Sequence, residues 1–355
     1  MKRQGRIILV TVFLSALIWS CTKNTNLENS TSLKQAVNTS AQSLNTAMTS
    51  ISSTKAYSIF TINGGILKSA TITDASYKVY IPLDTIKGVY DYKPVNKPDR
   101  WGWSLITYFT KSANSSKMIV NMPLKKVQNP MSLRQYVPSD STLTNNFSIS
   151  VSDYHNNYNS YWDYDYLLAS EISIDNVVAG DLNIKSVVSP TNGIQYASQY
   201  AFSGSYTAQY AYNSGDTTVS SFTILSGTNV LYQEKLLTVR NDTARFGREN
   251  KYILTIGNVQ IARNSATKSV TVSVDGVVQP NATVKIVDQA SDPEASVCKN
   301  RDIQITFEDG TTATVSSLIG KSIDNIKTLF DSLHSVYFAA YVVDWIAYDI
   351  YYQRN

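Results

Sequence analysis

The sequence predicts a mainly β protein of the α+β class, with two antiparallel sheet units, an amphipathic helix before them and a helix at the C-terminal end. Three observations predict this class: segments in which apolar and polar residues alternate, a hairpin sequence that occurs twice, and helical apolar stripes near both ends. With 355 residues, of which 43% are apolar and 11% aromatic, the chain can bury a sizeable core. Wholesale disorder is therefore excluded.

The net charge gives no sign of a nucleic-acid partner. The chain has 31 basic against 27 acidic residues, a formal charge of +4, but Lys2, Arg3 and Arg6 precede Cys21 and no acidic residue does. Without the first 20 residues the balance is 28 to 27, or +1. The basic excess is mostly a property of the N-terminal segment, so we expect no nucleic-acid-binding face.

The first 20 residues have the anatomy of a secretory signal peptide. A basic stretch, Met1 to Arg6, precedes a thirteen-residue apolar run from Ile7 to Trp19, and the small Ser20 follows. In a helix this run extends about 20 Å, less than the roughly 30 Å of a bilayer's hydrocarbon core. The segment is therefore expected to be removed, and not to remain as a membrane span.

The end of this segment carries a family resemblance. Leu17-Ile18-Trp19-Ser20-Cys21 resembles a bacterial lipobox, and the polar tether that follows is similar to that of Bacteroidota lipoproteins. The resemblance implies that Cys21 becomes the acylated N-terminus, and acyl chains make a membrane attachment effectively permanent. Thr22, in place of an Asp, implies the outer membrane, on its periplasmic or its surface side. An ordinary cleaved signal with an incidental cysteine is the alternative.

No cofactor, metal site or catalytic residue is predicted. With Cys21 acylated, Cys298 has no intramolecular partner, so no disulfide is expected. His155 and His334 are the only histidines, too few for a histidine zinc site. The sequence holds no phosphate-binding glycine-rich loop, dinucleotide fingerprint or CxxC pair. These absences argue against metal-dependent, nucleotide-dependent and thiol enzymes.

After the signal peptide, at residues 1–20, the chain is divided by composition and periodicity. Residues 21–30 are predicted to be the acylated cysteine and its tether, and 31–140 the N-terminal helix plus a first β unit. Residues 141–320 are predicted to form a second β-rich unit with hairpin repeats, and 321–355 a helical, apolar C-terminal element.

The N-terminal helix is predicted over 31–53. Its Ser, Thr and Asn content gives it weak intrinsic propensity, so it should form only where its apolar side docks on a sheet. The residues that recur at helical spacing on that side are Leu33, Val37, Leu44, Met48 and Ile51.

Strands are predicted wherever the period changes to two. Five segments alternate most clearly and are rich in β-branched and aromatic residues, as half-buried antiparallel strands are. They are Tyr77 to Ile81, Phe147 to Val151, Thr217 to Ile224, Tyr252 to Ile256 and Val270 to Val274.

A hairpin sequence is repeated at an offset of 100 residues. Residues 172–187 and 272–287 are identical at six of sixteen positions, and a third copy at 60–72 has the same layout. Asp275-Gly276 is a turn pair that tolerates the positive φ angles of tight hairpins. The repeat indicates at least two sheet-building units.

The C-terminal element begins with a second helical stripe, for which Ser322 is a candidate N-cap. The 336–351 segment is apolar at nearly every position, so periodicity fits helix and strand equally. We favour a helix followed by a buried terminal element. The stripe consists of Ile323, Ile326, Leu329, Phe330 and Leu333.

The densest cluster of aromatic and acidic residues is Asp153 to Tyr166. Aromatic faces stack on sugar rings while carboxylates accept bonds from hydroxyls, so the cluster is a candidate glycan-binding site. The alternative is an exposed hairpin whose tyrosines ladder across its strands. The candidate glycan-binding residues are Tyr154, Tyr158, Tyr161, Trp162, Asp163 and Asp165.

These observations predict a lipid-anchored cell-envelope protein with a non-catalytic binding or structural role, with a glycan or an envelope protein as partner. One alternative is a surface-assembly subunit resembling fimbrillins, in which the 336–351 segment adds a strand to a neighbour. The other is a glycan-active hydrolase built around 153–171, where Asp153, Asp163, Asp165 and Glu171 are neighbouring carboxylates and Asp163 and Glu171 are the two to test by substitution.

Overall fold

The computed structural model describes residues 32–61, 78–94, 105–128, 133, 141–242, 247–288 and 301–354. Their helices and strands belong to one compact unit, Leu33–Asn355, and share a hydrophobic core, so we expect this range to fold on its own. The signal peptide, Cys21, the tether, Cys298 and most of the 60–72 hairpin copy lie outside the described residues.

The predicted mainly β architecture, with a helix at each end, is confirmed. The helices are α1 (Leu33–Ser52), α2 (Tyr57–Phe60), α3 (Leu83–Ile86), α4 (Leu124–Gln128), α5 (Val315–Ile319) and α6 (Ser322–Arg354). The strands are β1 (Val79–Pro82), β2 (Gly88–Tyr92), β3 (Phe109–Ala113), β4 (Met118–Met122), β5 (Phe147–Ser160), β6 (Asp163–Ile174), β7 (Val177–Ser189), β8 (Gly193–Phe202), β9 (Tyr206–Ser214), β10 (Thr217–Ser226), β11 (Asn229–Arg240), β12 (Arg248–Ile256), β13 (Val259–Asn264), β14 (Val270–Val274), β15 (Val277–Val278), β16 (Thr283–Asp288), β17 (Arg301–Thr306) and β18 (Thr312–Thr314).

Most strands join one large sheet. From β5 to β15 each strand pairs antiparallel with the next along the chain, while β4, β2 and β3 extend the sheet on the other side of β5. The long β5 also pairs with β1, next to its pairing with β4. Strands β16, β17 and β18 form a small second sheet. Because β4 pairs with β5, the boundary predicted at residue 140 does not separate two sheets.

One face of the large sheet is covered by helices, and we call it the inner face. Alternate residues along each strand are buried on it: in β6, Leu168 and Ile172 are buried while Glu171, on the opposite outer face, is exposed. Helix α1 reaches the β12–β13 turn, where Ser40 Oγ donates to Asn258 Oδ1 at 3.1 Å. Helices, and not a second sheet, therefore complete this core.

The two ends of the strands differ, and we name them the helix end and the open end. The helix end holds the β6–β7, β8–β9, β10–β11 and β12–β13 turns. Helix α1 lies along it, with Ser40 at the β12–β13 turn and Lys55, just after the helix, bonded to Asp175 of the β6–β7 turn at 3.0 Å. The open end holds the β5–β6, β7–β8, β9–β10, β11–β12 and β13–β14 turns.

Helix α1 confirms the helix predicted over 31–53. The five stripe residues that predicted it are all buried. The hydroxyls of Thr49 and Ser50 donate to carbonyls four residues earlier, a bond that satisfies the hydroxyl without stabilising the helix. Packing of the stripe against the sheet therefore supplies the stability of α1.

The C-terminal prediction needs correction, because the 336–351 segment continues the preceding helix and α6 runs unbroken to Arg354. Ser322 bonds Asn45 of α1 through its hydroxyl, which ties the two helices together. Of the predicted stripe, Ile323 and Phe330 are exposed, while the other three residues are buried. No helix among the described residues has the length and apolar character of a membrane span.

The two described copies of the hairpin repeat diverge after their turns. In the first, Asp175-Asn176 has φ of 52° and 62°, and the returning strand β7 continues in the same sheet. In the second, Asp275-Gly276 has φ of 49° and 80°, but Val277–Val278 pairs with β14 only briefly. Pro280 follows, and the chain then enters β16 of the second sheet. A proline cannot donate to a ladder, which explains the break.

Candidate functional site

The turn of the β5–β6 hairpin presents the most exposed of the predicted glycan-binding residues. Tyr161 and Trp162 are each 63% exposed at the open end of the sheet. Their ring centroids lie 5.0 Å apart with the planes at 88°, an edge-to-face arrangement. The outer surfaces of both rings are therefore free to contact a ligand.

The two other predicted tyrosines belong to the inner face. Tyr154 is 2% exposed, which excludes it from stacking on a ligand. Tyr158 is half-buried and lies directly opposite Tyr164, with ring centroids 6.2 Å apart. Tyr158 and Tyr164 thus form the tyrosine pair across the strands that the alternative prediction describes.

The two predicted aspartates lie at the start of β6 and on the outer face of the sheet. Asp163 is exposed at the start of β6, whereas Asp165 is on the outer face, with its Oδ1 3.2 Å from His155 Nε2. The six predicted residues are therefore divided among the turn, the inner face and the outer face. Among the described residues, no group of three or more His, Cys, Asp or Glu side chains is placed to hold a metal ion.

The carboxylates named for a hydrolase are not placed as a pair. Asp163 and Glu171 lie on one strand, eight residues apart, which corresponds to about 26 Å. Glycoside hydrolysis by two carboxylates needs a separation of roughly 5–10 Å. These two residues cannot act on one glycosidic bond together.

Sequence reasoning missed a carboxylate on the C-terminal helix that joins this hairpin. The hydroxyls of Tyr154 and Tyr166 donate to Asp344 Oδ1 at 3.0 and 3.1 Å. Burial raises the pKa of Asp344 to about 7, and the two tyrosine hydrogen bonds only partly offset this effect. Burial, followed by the nearby Asp344 charge, raises the pKa of Tyr154 well above its usual value.

Asn156 completes this cluster. Its side chain is 3% exposed and hydrogen-bonds to the hydroxyls of Tyr154 and Tyr348. Its Oδ1 has no hydrogen-bond partner among the described residues. The cluster thus fastens the last turns of α6 to the centre of the hairpin through polar contacts.

A second carboxylate on the inner face is also bonded by two tyrosines. Glu234 of β11 accepts from the Tyr232 and Tyr252 hydroxyls. Burial, and then the Glu234 charge, raises the pKa of both tyrosines. Strand β11 is five strands from β6, about 24 Å along the sheet, so Glu234 and Asp344 belong to separate clusters.

Toward the open end, the inner face carries a row of half-buried tyrosines that we call the aromatic band. The register places Tyr196 opposite Tyr212, and Tyr252 opposite the exposed Leu236. The exposed parts of these rings offer apolar faces to a ligand. The period-two spacing of tyrosines in β6 and β9 was the available signal, but it does not show which part of a face the helices leave open. The band consists of Tyr158, Tyr164, Tyr196, Tyr212 and Tyr252.

Comparison with protein-family models, curated proteins and solved structures finds no match for this chain. No role can therefore be transferred to these residues from a relative.

Proposed function

We propose that this chain is a lipid-anchored protein of the bacterial outer membrane, held there by acyl chains on Cys21. The support is the order of the N-terminal residues: a basic stretch, a thirteen-residue apolar run and Ser20-Cys21. Two or three acyl chains hold a protein on a bilayer where one would bind only reversibly.

We further propose a non-catalytic binding role, with a glycan as the ligand class. The observation that carries this role is the open end of the sheet, where Tyr161, Trp162 and the aromatic band lie within reach of solvent. Elsewhere on the inner face, apolar side chains are covered by α1 and α6. Aromatic side chains left accessible in one region are typical of ligand-binding surfaces.

Fatty-acid labelling tests the anchor. The full chain, expressed in a bacterial host with labelled palmitate, should carry label and fractionate with the outer membrane. Cys21→Ala should lose both properties, whereas Cys298→Ala, which removes the other cysteine, should keep them. Full membrane retention of unlabelled Cys21→Ala protein would overturn the anchor.

Retention on a glycan array tests the ligand class. Replacing both Tyr161 and Trp162 by Ala should weaken binding at least tenfold, because each stacked ring contributes on the order of 1 kcal/mol. Tyr80→Ala is the control on the outer face, since Tyr80 is 59% exposed on β1 and lies opposite Asn157, whose neighbour Asn156 is buried on the inner face. Equal losses in the two variants, or no retention of the unmodified protein, would contradict glycan binding at this turn.

In the assembly alternative, the segment proposed to add a strand to a neighbour is part of a helix. Residues 336–351 lie within α6, and Val342, Val343, Ile346 and Ala347 of that segment are buried. Adding a strand to a neighbour would first require this part of α6 to unfold and leave the core.

A further inference from the structure

Arginine is distributed unevenly along the chain. After Cys21 there are eight arginines, and four of them fall between residues 240 and 263. This stretch runs from the last residue of β11 through β12 to β13, and Arg240, Arg248 and Arg263 each lie at or next to the open-end terminus of their strand. A chain with almost no net charge after its first 20 residues thus concentrates its most strongly hydrogen-bonding cations in one place.

The strand register puts three of these arginines on the inner face. Along β11, Arg240 has the same parity as the buried Tyr232, and its cross-strand partner is Arg248 of β12. Arg263 of β13 has the parity of the buried Ile261 and lies opposite Tyr252. We call Arg240, Arg248 and Arg263 the arginine patch.

The patch is not explained by the fold. Side chains directly opposite each other on a sheet have Cβ atoms about 5 Å apart, and like charges at that distance are destabilising. Asp242 bonds Arg240 Nε at 3.1 Å, but both side chains are more than 80% exposed, so this pair contributes little. Within the described part of the chain, Arg248 and Arg263 have no ion pair.

Uncovered apolar surface adjoins the patch. Leu236 is 43% exposed in the row that holds Tyr212, Tyr252 and Arg263. Phe330 of α6 is 48% exposed, with its ring centroid 5.4 Å from that of Phe222, which lies opposite Glu234, two residues before Leu236. A cationic edge therefore continues directly into hydrocarbon and aromatic surface on the same face.

We propose that this region binds an anionic phospholipid. Arg240 and Arg248 of the arginine patch hold the headgroup phosphate, since guanidinium groups bond phosphate oxygens in a matching planar geometry and the anion relieves the repulsion between these two residues. An acyl chain lies over Leu236 toward Phe330. A sugar fits less well, because these two side chains offer no hydrogen bond to its hydroxyls. The site goes beyond the proposed glycan role, and it rests on the proposed location only in that a bacterial envelope supplies such lipids.

Vesicle co-sedimentation of Leu33–Asn355 tests the proposal. This range lacks Cys21, so its binding is independent of the acyl anchor. It should sediment with vesicles that contain phosphatidylglycerol and not with vesicles of phosphatidylcholine alone. Changing Arg240 and Arg248 together to Ala should lower affinity roughly 30-fold, because each arginine near an anionic bilayer contributes about 1 kcal/mol.

The matched control removes two charges from the same strands on the opposite face. Lys235 of β11 and Lys251 of β12 have outer-face parity, so changing both to Ala should leave affinity within about twofold of the unmodified range. Free glycerophosphoglycerol, which is the headgroup without acyl chains, should compete only weakly with the vesicles. Leu236→Asn should weaken vesicle binding but leave this competition unchanged. Circular dichroism should show the same fold for every variant.

Three outcomes would overturn the lipid site: no preference for phosphatidylglycerol, equal losses in the inner-face and outer-face double variants, or tighter binding to a soluble acidic polysaccharide than to vesicles. Each leaves the fatty-acid labelling of Cys21 in the full chain untouched. Conversely, loss of the anchor would not alter the vesicle result.

Discussion

The two halves of the inner face are made by the same strands but have different chemistry. In β11, Tyr232 near the helix end is 5% exposed, whereas Leu236 and Arg240 further along are exposed. In β8, Tyr200 and Ile194 show the same contrast, with exposed fractions of 0% and 38%. Alternation along a strand decides which face a residue occupies, but only the helices decide whether that position is buried. Among the described residues, the more exposed half carries tyrosine and arginine, and it is the half for which we propose ligand binding.

The largest expected effect is a difference in the free energy of unfolding between a variant in the covered half and a variant in the uncovered half. Phe60 of α2 is fully buried, and its ring centroid lies 5.1 Å from that of Tyr200 and 5.5 Å from that of Phe202. Phe60→Ala should lower the free energy of unfolding by about 3–5 kcal/mol, since it leaves a cavity under the helices. Leu236→Ala, in the uncovered half, should cost less than about 1 kcal/mol. Urea unfolding measures both, and similar costs would show that the open half is also structural core.

A pair of glycines sharpens the comparison at the helix end. Gly257 and Gly227 both have φ of +58°, so alanine is strained equally at each. At Gly257 a Cβ would also meet Ser40 Oγ at 2.4 Å, whereas at Gly227 it would meet nothing within 4 Å. Gly257→Ala should therefore cost about 1–3 kcal/mol more than Gly227→Ala in thermal or urea unfolding. Equal costs would mean that α1 does not pack closely on the β12–β13 turn.

Local pattern predicted the two long helices and several of the strands but few of the contacts that define the site. The α1 stripe and the alternating strands follow from periods of 3.6 and 2, which a sequence displays directly. The bond between Tyr154 and Asp344 joins residues 190 positions apart, and nothing in either neighbourhood indicates the other. Periodicity cannot distinguish helix from strand in the 336–351 segment, because nearly every position is apolar. The surface on which the segment packs therefore decides that it forms a helix. Chain position alone also does not show that β4 and β5 pair across residue 140.

Asp344 marks the border between the covered core and the aromatic band, and it makes stability depend on pH. Its pKa is about 7 in the folded protein against 3.8 normally, so between these values the folded state keeps a proton that the unfolded state releases. The contribution of Asp344 to stability should be greatest below about pH 4 and fall until about pH 7. Asp344→Asn keeps an acceptor for Tyr154 and Tyr166 but carries no charge.

The variant should therefore lose this pH dependence. A fully buried carboxyl with that pKa would lose about 4 kcal/mol across the window, and the partial exposure of Asp344 reduces this to roughly 1–2 kcal/mol. Asp344→Asn should exceed the unmodified protein by that amount at pH 8 and match it near pH 4, measured by urea midpoints. Parallel pH profiles for the two proteins would show that folding does not raise the pKa of Asp344.

The smallest expected effect compares the two hairpin copies at their turns. Asn176 holds φ of 62° where Gly276 holds 80°, and glycine adopts such angles without the steric cost of a Cβ. Asn176→Gly should raise the free energy of unfolding by about 0.5 kcal/mol, because the relief of strain exceeds the added entropy of the unfolded chain. The reciprocal Gly276→Asn should lower it by a similar amount. Opposite shifts in thermal midpoint would show that the copies share one turn geometry and diverge only after it, where Pro280 directs the second chain into the small sheet.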